Sequence, residues 1–271
     1  MRRTVVAAGL ILAATLVPAG ASAGSVAMFH RPIVAIGANQ SSNWSGYNQG
    51  TIEQGGEQFH AVTGVWRVPT ATQHTPNEAE YSSSWVGIGG GCVDANCDIG
   101  DTTLIQAGTE QDVDKSSVAS YSAWWEIIPE PATTIPSLTI HAGDRMSVSI
   151  SENPVGSEMW TIVVQDLTTK KSFTHSTPYT SSYATAEWIV ETPVVIDNNG
   201  NVSIGPLPKL AVTNFDLATT NGAAPHLTPA EEIQLVDSNN HPLVLPSSPD
   251  PDTDGFNDCT FASTCKAPTR S

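Results

Sequence analysis

Basic residues are scarce in this 271-residue chain: 11 lysines and arginines stand against 27 aspartates and glutamates, a formal charge of −16 at neutral pH. That balance excludes nucleic acid as a partner, because binding it needs a basic face to neutralise phosphates. It also suits an acidic habitat, since such a surface repels itself near pH 7 and relaxes as its carboxylates protonate. Long apolar runs are missing too, apart from one near the N-terminus. Arg2 and Arg3 precede an apolar run from Val5 to Val17, and Ala21-Ser22-Ala23 follows it. The run is too short to span a bilayer, and with its A-x-A site it reads as a secretory signal peptide over residues 1–23. Its removal leaves nine basic residues against 27 acidic ones, about −18, and predicts a secreted, extracellular protein with no membrane attachment.

Recognisable catalytic motifs are equally absent: there is no G-x-S-x-G elbow, no H-E-x-x-H helix, no Walker loop and no dinucleotide fingerprint. The seven histidines, His30, His60, His74, His141, His175, His226 and His241, lack ligand-like spacing, which assigns them to surface or loop roles. No cofactor is expected. Cysteine is limited to two close pairs, Cys92 with Cys97 and Cys259 with Cys265. Neither has zinc-site spacing, and in an exported chain two short disulfides are the economical arrangement among the three connectivities allowed. Helical signals are confined to Thr228 to Leu235, where Thr228 stands as N-cap, Pro229 at the first helical position and Glu231 and Glu232 in the first turn.

What the sequence has in abundance is period-2 alternation. Met146, Val148 and Ile150 alternate with serines, and Trp160, Ile162 and Val164 repeat the pattern after Asn153-Pro154 and Gly156, predicting a hairpin. Further strands are predicted at Val62 to Val68, Ser83 to Ile88, Leu104 to Glu110, Ser120 to Ile128, Ala186 to Val190 and Leu210 to Phe215. Asn198-Asn199-Gly200 marks a turn between Val194-Val195-Ile196 and Val202-Ser203-Ile204. Many short strands and no fixed repeat give an all-β fold class, an antiparallel β-sandwich or barrel. Residues 24–40 form a lead-in or short propeptide-like segment, 41–247 the β-sandwich domain, and 248–271 an acidic, loop-like tail held by the second cysteine pair.

Two strands carry polar groups where apolar ones are usual. In Tyr121-Ser122-Ala123-Trp124-Trp125-Glu126, alternation puts Ser122, Trp124 and Glu126 on one face. In the other, Leu104, Gln106, Gly108 and Glu110 share a face, and Gly108 is expected to leave room beside Gln106 for a substrate backbone. Considered alone, the first strand favours a solvated glutamate over a functional carboxylate, while in the second a structural amide beside a β-bulge fits as well as a functional glutamine.

Five segments in chain order resemble the eqolisins, the glutamic peptidases typified by scytalidoglutamic peptidase: Asn43-Trp44-Ser45-Gly46-Tyr47, Trp85-Val86-Gly87-Ile88, Leu104-Ile105-Gln106-Ala107-Gly108, Ala123-Trp124-Trp125-Glu126 with Pro129, and Ala186-Glu187-Trp188-Ile189-Val190-Glu191. The resemblance implies a concanavalin A-like sandwich of two bent sheets and a secreted acid endopeptidase, a monomer acting on protein or peptide substrates. It is similar to a bacterial-type member. It also implies Gln106 and Glu126 as the catalytic pair, Trp44, Trp85 and Glu110 as substrate-binding residues, and a structural place for Glu187. In that chemistry Glu126 takes a proton from water and Gln106 steadies the oxyanion, which requires a Glu126 pKa not much raised.

The chain departs from the pattern at Gly89, where the family usually has an aspartate, and in its short lead-in. Asp250, Asp252, Asp254 and Asp258 surround Gly255 with calcium-loop spacing, although Phe261 stands where an EF-hand has glutamate. Asn43 and Asn201 fit the glycosylation acceptor pattern. Two other functions fit the same residues: a carbohydrate-binding or glycan-cleaving sandwich using Glu110 and Glu126 as paired carboxylates, and a catalytically silent peptide-binding homologue.

Overall fold

In the computed structural model, residues 27–196 and 201–269 are described; the signal-peptide reading and the Asn198-Asn199-Gly200 turn lie outside them. Alternation becomes two antiparallel sheets. One runs, strand beside strand, through Thr133–Thr134, Ala119–Ile127, Leu104–Val113, Ser83–Gly89, Thr185–Glu191, Trp44–Gly50 and Glu232–Val236. The other continues from Glu232–Val236 through Pro242–Pro246, Phe256–Thr260, Thr213–Thr220, Ala61–Arg67, Arg145–Glu152, Met159–Asp166 and Lys171–Pro178. Glu232–Val236 thus belongs to both. The all-β sandwich expected from the sequence is the observed architecture.

Between the sheets lies one large apolar core. Tyr47, Val86, Ile105, Ala107, Ala123 and Trp188 meet Val62, Trp66, Met146, Val148, Ile150, Ile162 and Val164, all 1% exposed or less. Burying an aliphatic side chain of this size contributes roughly 1.5–3 kcal/mol, so a one-residue slip of any strand would turn that gain outward. The core therefore fixes the register, and with it which residues face the opposite side. Val148 pairs with Val164 and Ile150 with Ile162 in the predicted hairpin.

Three expectations need correction. Thr228 to Leu235 is not a helix: Pro229–Glu231 makes one 3-10 turn, and Glu232–Val236 is a strand. The Thr228–Glu231 capping box closes that single turn, but Ile233 and Leu235 are buried at period two, which only a strand can satisfy. Leu210 to Phe215 is interrupted. Lys209–Leu210 pairs with Ala71–Thr72, whereas Thr213–Thr220 pairs with Ala61–Arg67 and Phe256–Thr260, so the chain changes partners at the exposed Ala211 and Val212. Finally, the C-terminal stretch is more than a loop: Phe256–Thr260 sits inside the second sheet, with Phe256 stacked on Phe215 and fully buried.

Candidate active site

Because Ala123 and Trp125 pack toward the inter-sheet core, their neighbours Ser122, Trp124 and Glu126 point from the opposite face of the first sheet. Strand pairing then assembles three rows. Asn48, Glu187, Gly87, Gln106 and Glu126 stand opposite one another across five strands. Two residues along come Gly46, Ile189, Trp85, Gly108 and Trp124, and then Trp44, Glu191, Ser83, Glu110 and Ser122. Gln106 and Glu126, 20 residues apart in sequence, are thus direct cross-strand partners.

The Gln106 amide donates from Nε2 to Glu126 Oε2 at 2.7 Å, while Gln106 Oε1 and Glu126 Oε1 have no protein partner. Both side chains are buried, at 0% and 1% exposure. Burial pushes the Glu126 carboxyl up to about 8, aided by Glu191 and Glu110 and opposed by the His30 charge and the Gln106 hydrogen bond. This corrects the expectation of a little-shifted pKa. The cause is a cover over the carboxylate that the sequence did not reveal.

That cover is the lead-in. Ala27–Phe29 adds to strand Val194–Ile196, and the next residue, His30, enters the site. Its ring stacks on Trp124 at 3.8 Å and 7°. Nδ1 meets Glu191 Oε2 at 2.9 Å, and Nε2 meets Glu110 Oε1 at 2.8 Å. Burial alone would lower the pKa of His30, but the two carboxylates outweigh it and hold it well above the ordinary value. Both ring nitrogens therefore donate. The Arg31 backbone N–H adds a bond to Glu191, and Phe29, His30, Arg31 and Pro32 enclose with Glu126, Ile128 and Pro129 a cavity of about 230 Å³.

Trp44 and Trp85 lie edge to face on this side of the sheet, 4.8 Å apart and fully buried. The Trp85 indole donates to Glu191, whereas the indole N–H groups of Trp44 and Trp124 have no acceptor. Gly108 leaves no room for a substrate. A Cβ there would lie 2.5 Å from Trp85 Cβ and 2.8 Å from its Cα, with the Ser84 carbonyl closer still, so the glycine admits the neighbouring strand. Gly89 has φ +95°, and a Cβ would strike the Thr103 carbonyl, so the local backbone bars an aspartate.

Glu187, read as structural from the sequence, faces the same site. It is wholly buried, with neither carboxylate oxygen hydrogen-bonded, and burial raises its pKa well above the usual range. Only Gly87 separates it from Gln106: a Cβ at Gly87 would lie 3.0 Å from Glu187 Oε1 and 3.2 Å from Gln106 Cβ. Alternation in Glu187, Ile189 and Glu191 carried that signal. Nothing local marked His30, which lies 80 residues from Glu110 and 161 from Glu191.

A second glutamate–glutamine cluster lies elsewhere, where Gln49 and Gln54 donate to Glu231 Oε1 at 2.9 and 2.8 Å. The other oxygen of Glu231 accepts from the Thr228 backbone and hydroxyl. The four calcium-loop aspartates disperse. Asp258 is buried and accepts from Ser45, Asp252 is exposed, and Asp250 and Asp254 converge instead on Asp216. Cys92–Cys97 and Cys259–Cys265 are disulfides. Asn43 is fully buried, accepting from Val34 and Ser41 and donating to Pro32, which rules it out as a glycan acceptor in the folded chain; Asn201 is exposed.

Comparison with known proteins identifies the family and the fold. Over 174 residues, 56% of this chain, it is 28% identical to aspergillopepsin-2 of Aspergillus niger, and over 186 residues, 66% of this chain, 28% identical to scytalidopepsin B of Scytalidium lignicola. These matches span 56% and 63% of the relatives' own lengths. The fold is that of scytalido-glutamic peptidase solved with a transition-state analog inhibitor, with a TM-score of 0.60 at 20% identity, covering 81% of this chain and 98% of that one. The model of the Peptidase A4 family matches residues 42–253, most of the chain and all three rows of the site, and on that match the chain belongs to the peptidase A4, or eqolisin, family.

Proposed function

We propose that this protein is a secreted acid endopeptidase, a glutamic hydrolase of protein and peptide substrates, with Gln106 and Glu126 as its catalytic pair and 27–40 as its covering segment. The observation that carries the reading is the 2.7 Å amide–carboxylate contact in one cross-strand row, with one oxygen of each group left for other partners. Once the lead-in leaves, water reaches Glu126, the burial that raised its pKa is relieved, and the ionised carboxylate serves as base. Glu126 takes a proton from water as the water oxygen bonds to the scissile carbonyl carbon. Gln106 donates to the resulting oxyanion. The C–N bond then breaks, and Glu126 returns the proton to the leaving amine. The unpaired indole N–H groups of Trp44 and Trp124 are donors for substrate carbonyls, and Glu110, freed from His30, is an acceptor for substrate N–H groups. Glu187, held as the neutral acid, is a positioning residue that steadies the Gln106 amide across Gly87. Both curated relatives come from fungi, which supports the family and not the bacterial-type branch expected from the sequence.

A different pairing, Glu231 with Gln49 and Gln54, is favoured by its hydrogen bonds alone. Four donors already occupy that carboxylate and bind it to its own 3-10 turn, so it reads as a cap. Purified protein incubated with a denatured protein at acid pH decides between them. Wild type and Glu231→Gln should cleave it, Glu126→Gln should not, and Gln106→Ala should be slower by about a hundredfold, the worth of one oxyanion donor. Proteolysis surviving in Glu126→Gln would refute the assignment. Sugar release from a glycan without proteolysis would establish the carbohydrate reading, and peptide binding without turnover the silent one.

A further inference from the structure

Asp216 opens the bulged part of strand Thr213–Thr220, and Asp250 and Asp254 lie on the turn leading into Phe256–Thr260. One carboxylate oxygen from each lies within 4.8 Å of the others. Asp250 is 4% exposed; its Oδ1 accepts from the backbone N–H groups of Asp254 and Gly255, while its Oδ2, like Asp254 Oδ1, is buried with no partner. Among the described residues no lysine or arginine pairs with any of the three.

Gly255 defines the space they surround. A Cβ built there would lie 2.6 Å from Asp250 Oδ2, 2.9 Å from the Phe215 carbonyl oxygen and 3.2 Å from Asp216 Oδ1. That crowding bars any side chain at 255 and shows two carboxylates and a main-chain carbonyl converging beside its Cα, the kind of oxygen set that a calcium ion gathers at about 2.3–2.6 Å. Carboxylate and carbonyl donors without nitrogen or sulfur select a hard cation, and their flexible turn geometry suits calcium better than the strict octahedron of magnesium.

We propose that Asp216, Asp250 and Asp254, with the Phe215 carbonyl, form a calcium site that fastens the bulge of strand Thr213–Thr220 to the turn before Phe256–Thr260. The ligand set differs from the spacing in the sequence, because Asp252 points to solvent, Asp258 is held by Ser45, and Asp216 arrives from another strand. Burial and the neighbouring aspartates raise Asp250, and push Asp254 up to about 6.

The test uses the purified full chain, calcium chloride as the probe and magnesium chloride as control, followed by calorimetry and thermal melting at pH 7.5. Wild type should bind one calcium, melt about 5 °C higher with it and respond less to magnesium. Asp254→Asn should lose the response, yet melt above wild type without calcium, because a buried repulsion has been removed. Gly255→Ala, which keeps every charge but fills the space, should also lose the response. The proposal is overturned if millimolar calcium neither binds wild type nor shifts its melting at pH 7.5, or if the shift persists undiminished in both variants.

Discussion

Replacing His30 by alanine removes the only described cation between two buried carboxylates, and the structure sets the size of the effect. Glu110 and Glu191 each lose a charge-assisted bond, of 2.8 and 2.9 Å, and Trp124 loses a stacked ring. Stripping one partner from a buried ion pair costs about 3–5 kcal/mol, because the remaining charge stays desolvated. For a domain of this size about 2–4 °C accompany each kcal/mol, so melting at neutral pH should fall by roughly 10 °C. The sign follows from linkage. Since its folded pKa is raised, the His30 contribution is full below its ordinary value of 6.5 and disappears as pH climbs through the raised one. The deficit of His30→Ala should therefore be full below pH 6.5 and shrink as pH rises, and acid proteolysis should begin in the variant without the delay that uncovering imposes on wild type. Melting curves from pH 3 to pH 9 measure this. A difference below about 2 °C at neutral pH, or one constant across the range, would refute the reasoning.

The remaining expectations concern other positions. Asp258 is buried and its pKa is pushed up to about 8, so the native state keeps a proton that the unfolded chain releases, and stability falls as pH rises from about 4 to 8. Asp258→Asn should erase part of that fall, melting above wild type at pH 8 and level with it at pH 4. Gly108→Ala forces a methyl group against the Ser84–Trp85 backbone, beyond the ordinary 1–3 kcal/mol of overpacking; denaturant unfolding should show a loss of at least about 3 kcal/mol, and a loss below 1 would contradict the close strand approach. For Glu187, the leucine variant should lose about tenfold in kcat with KM little changed, while Glu187→Gln, which still offers an N–H donor, should recover most of it. Equal rates in all three would make Glu187 purely structural.

Alternation made the sandwich readable, because one buried face dictates a period of two and a long strand shows that period several times over. The same logic placed Gln106, Gly108 and Glu110 on one face and Trp124 with Glu126 on another, and the register then made them neighbours. Where the reading failed, a local signal met a longer-range demand. Thr228-Pro229 begins a helix by its own chemistry, but Ile233 and Leu235 are claimed by the sheets. Gly108 looked like free space because its strand was read without the Trp85 strand beside it. His30 and Asp216 are isolated in the sequence, and their partners are supplied only by the folded chain.

Joining the sheets through Glu232–Val236 leaves Lys171–Pro178 as the long free margin of the assembly. A bare strand margin invites other copies to pair with it, and in acid, where carboxylates neutralise, acidic repulsion no longer keeps copies apart. This margin opens on Lys170 and Lys171 and closes on Pro178, two cations that acid cannot discharge and a residue with no N–H to offer. The few basic residues of the chain thus include a pair at the long strand margin where charge opposes pairing by another copy.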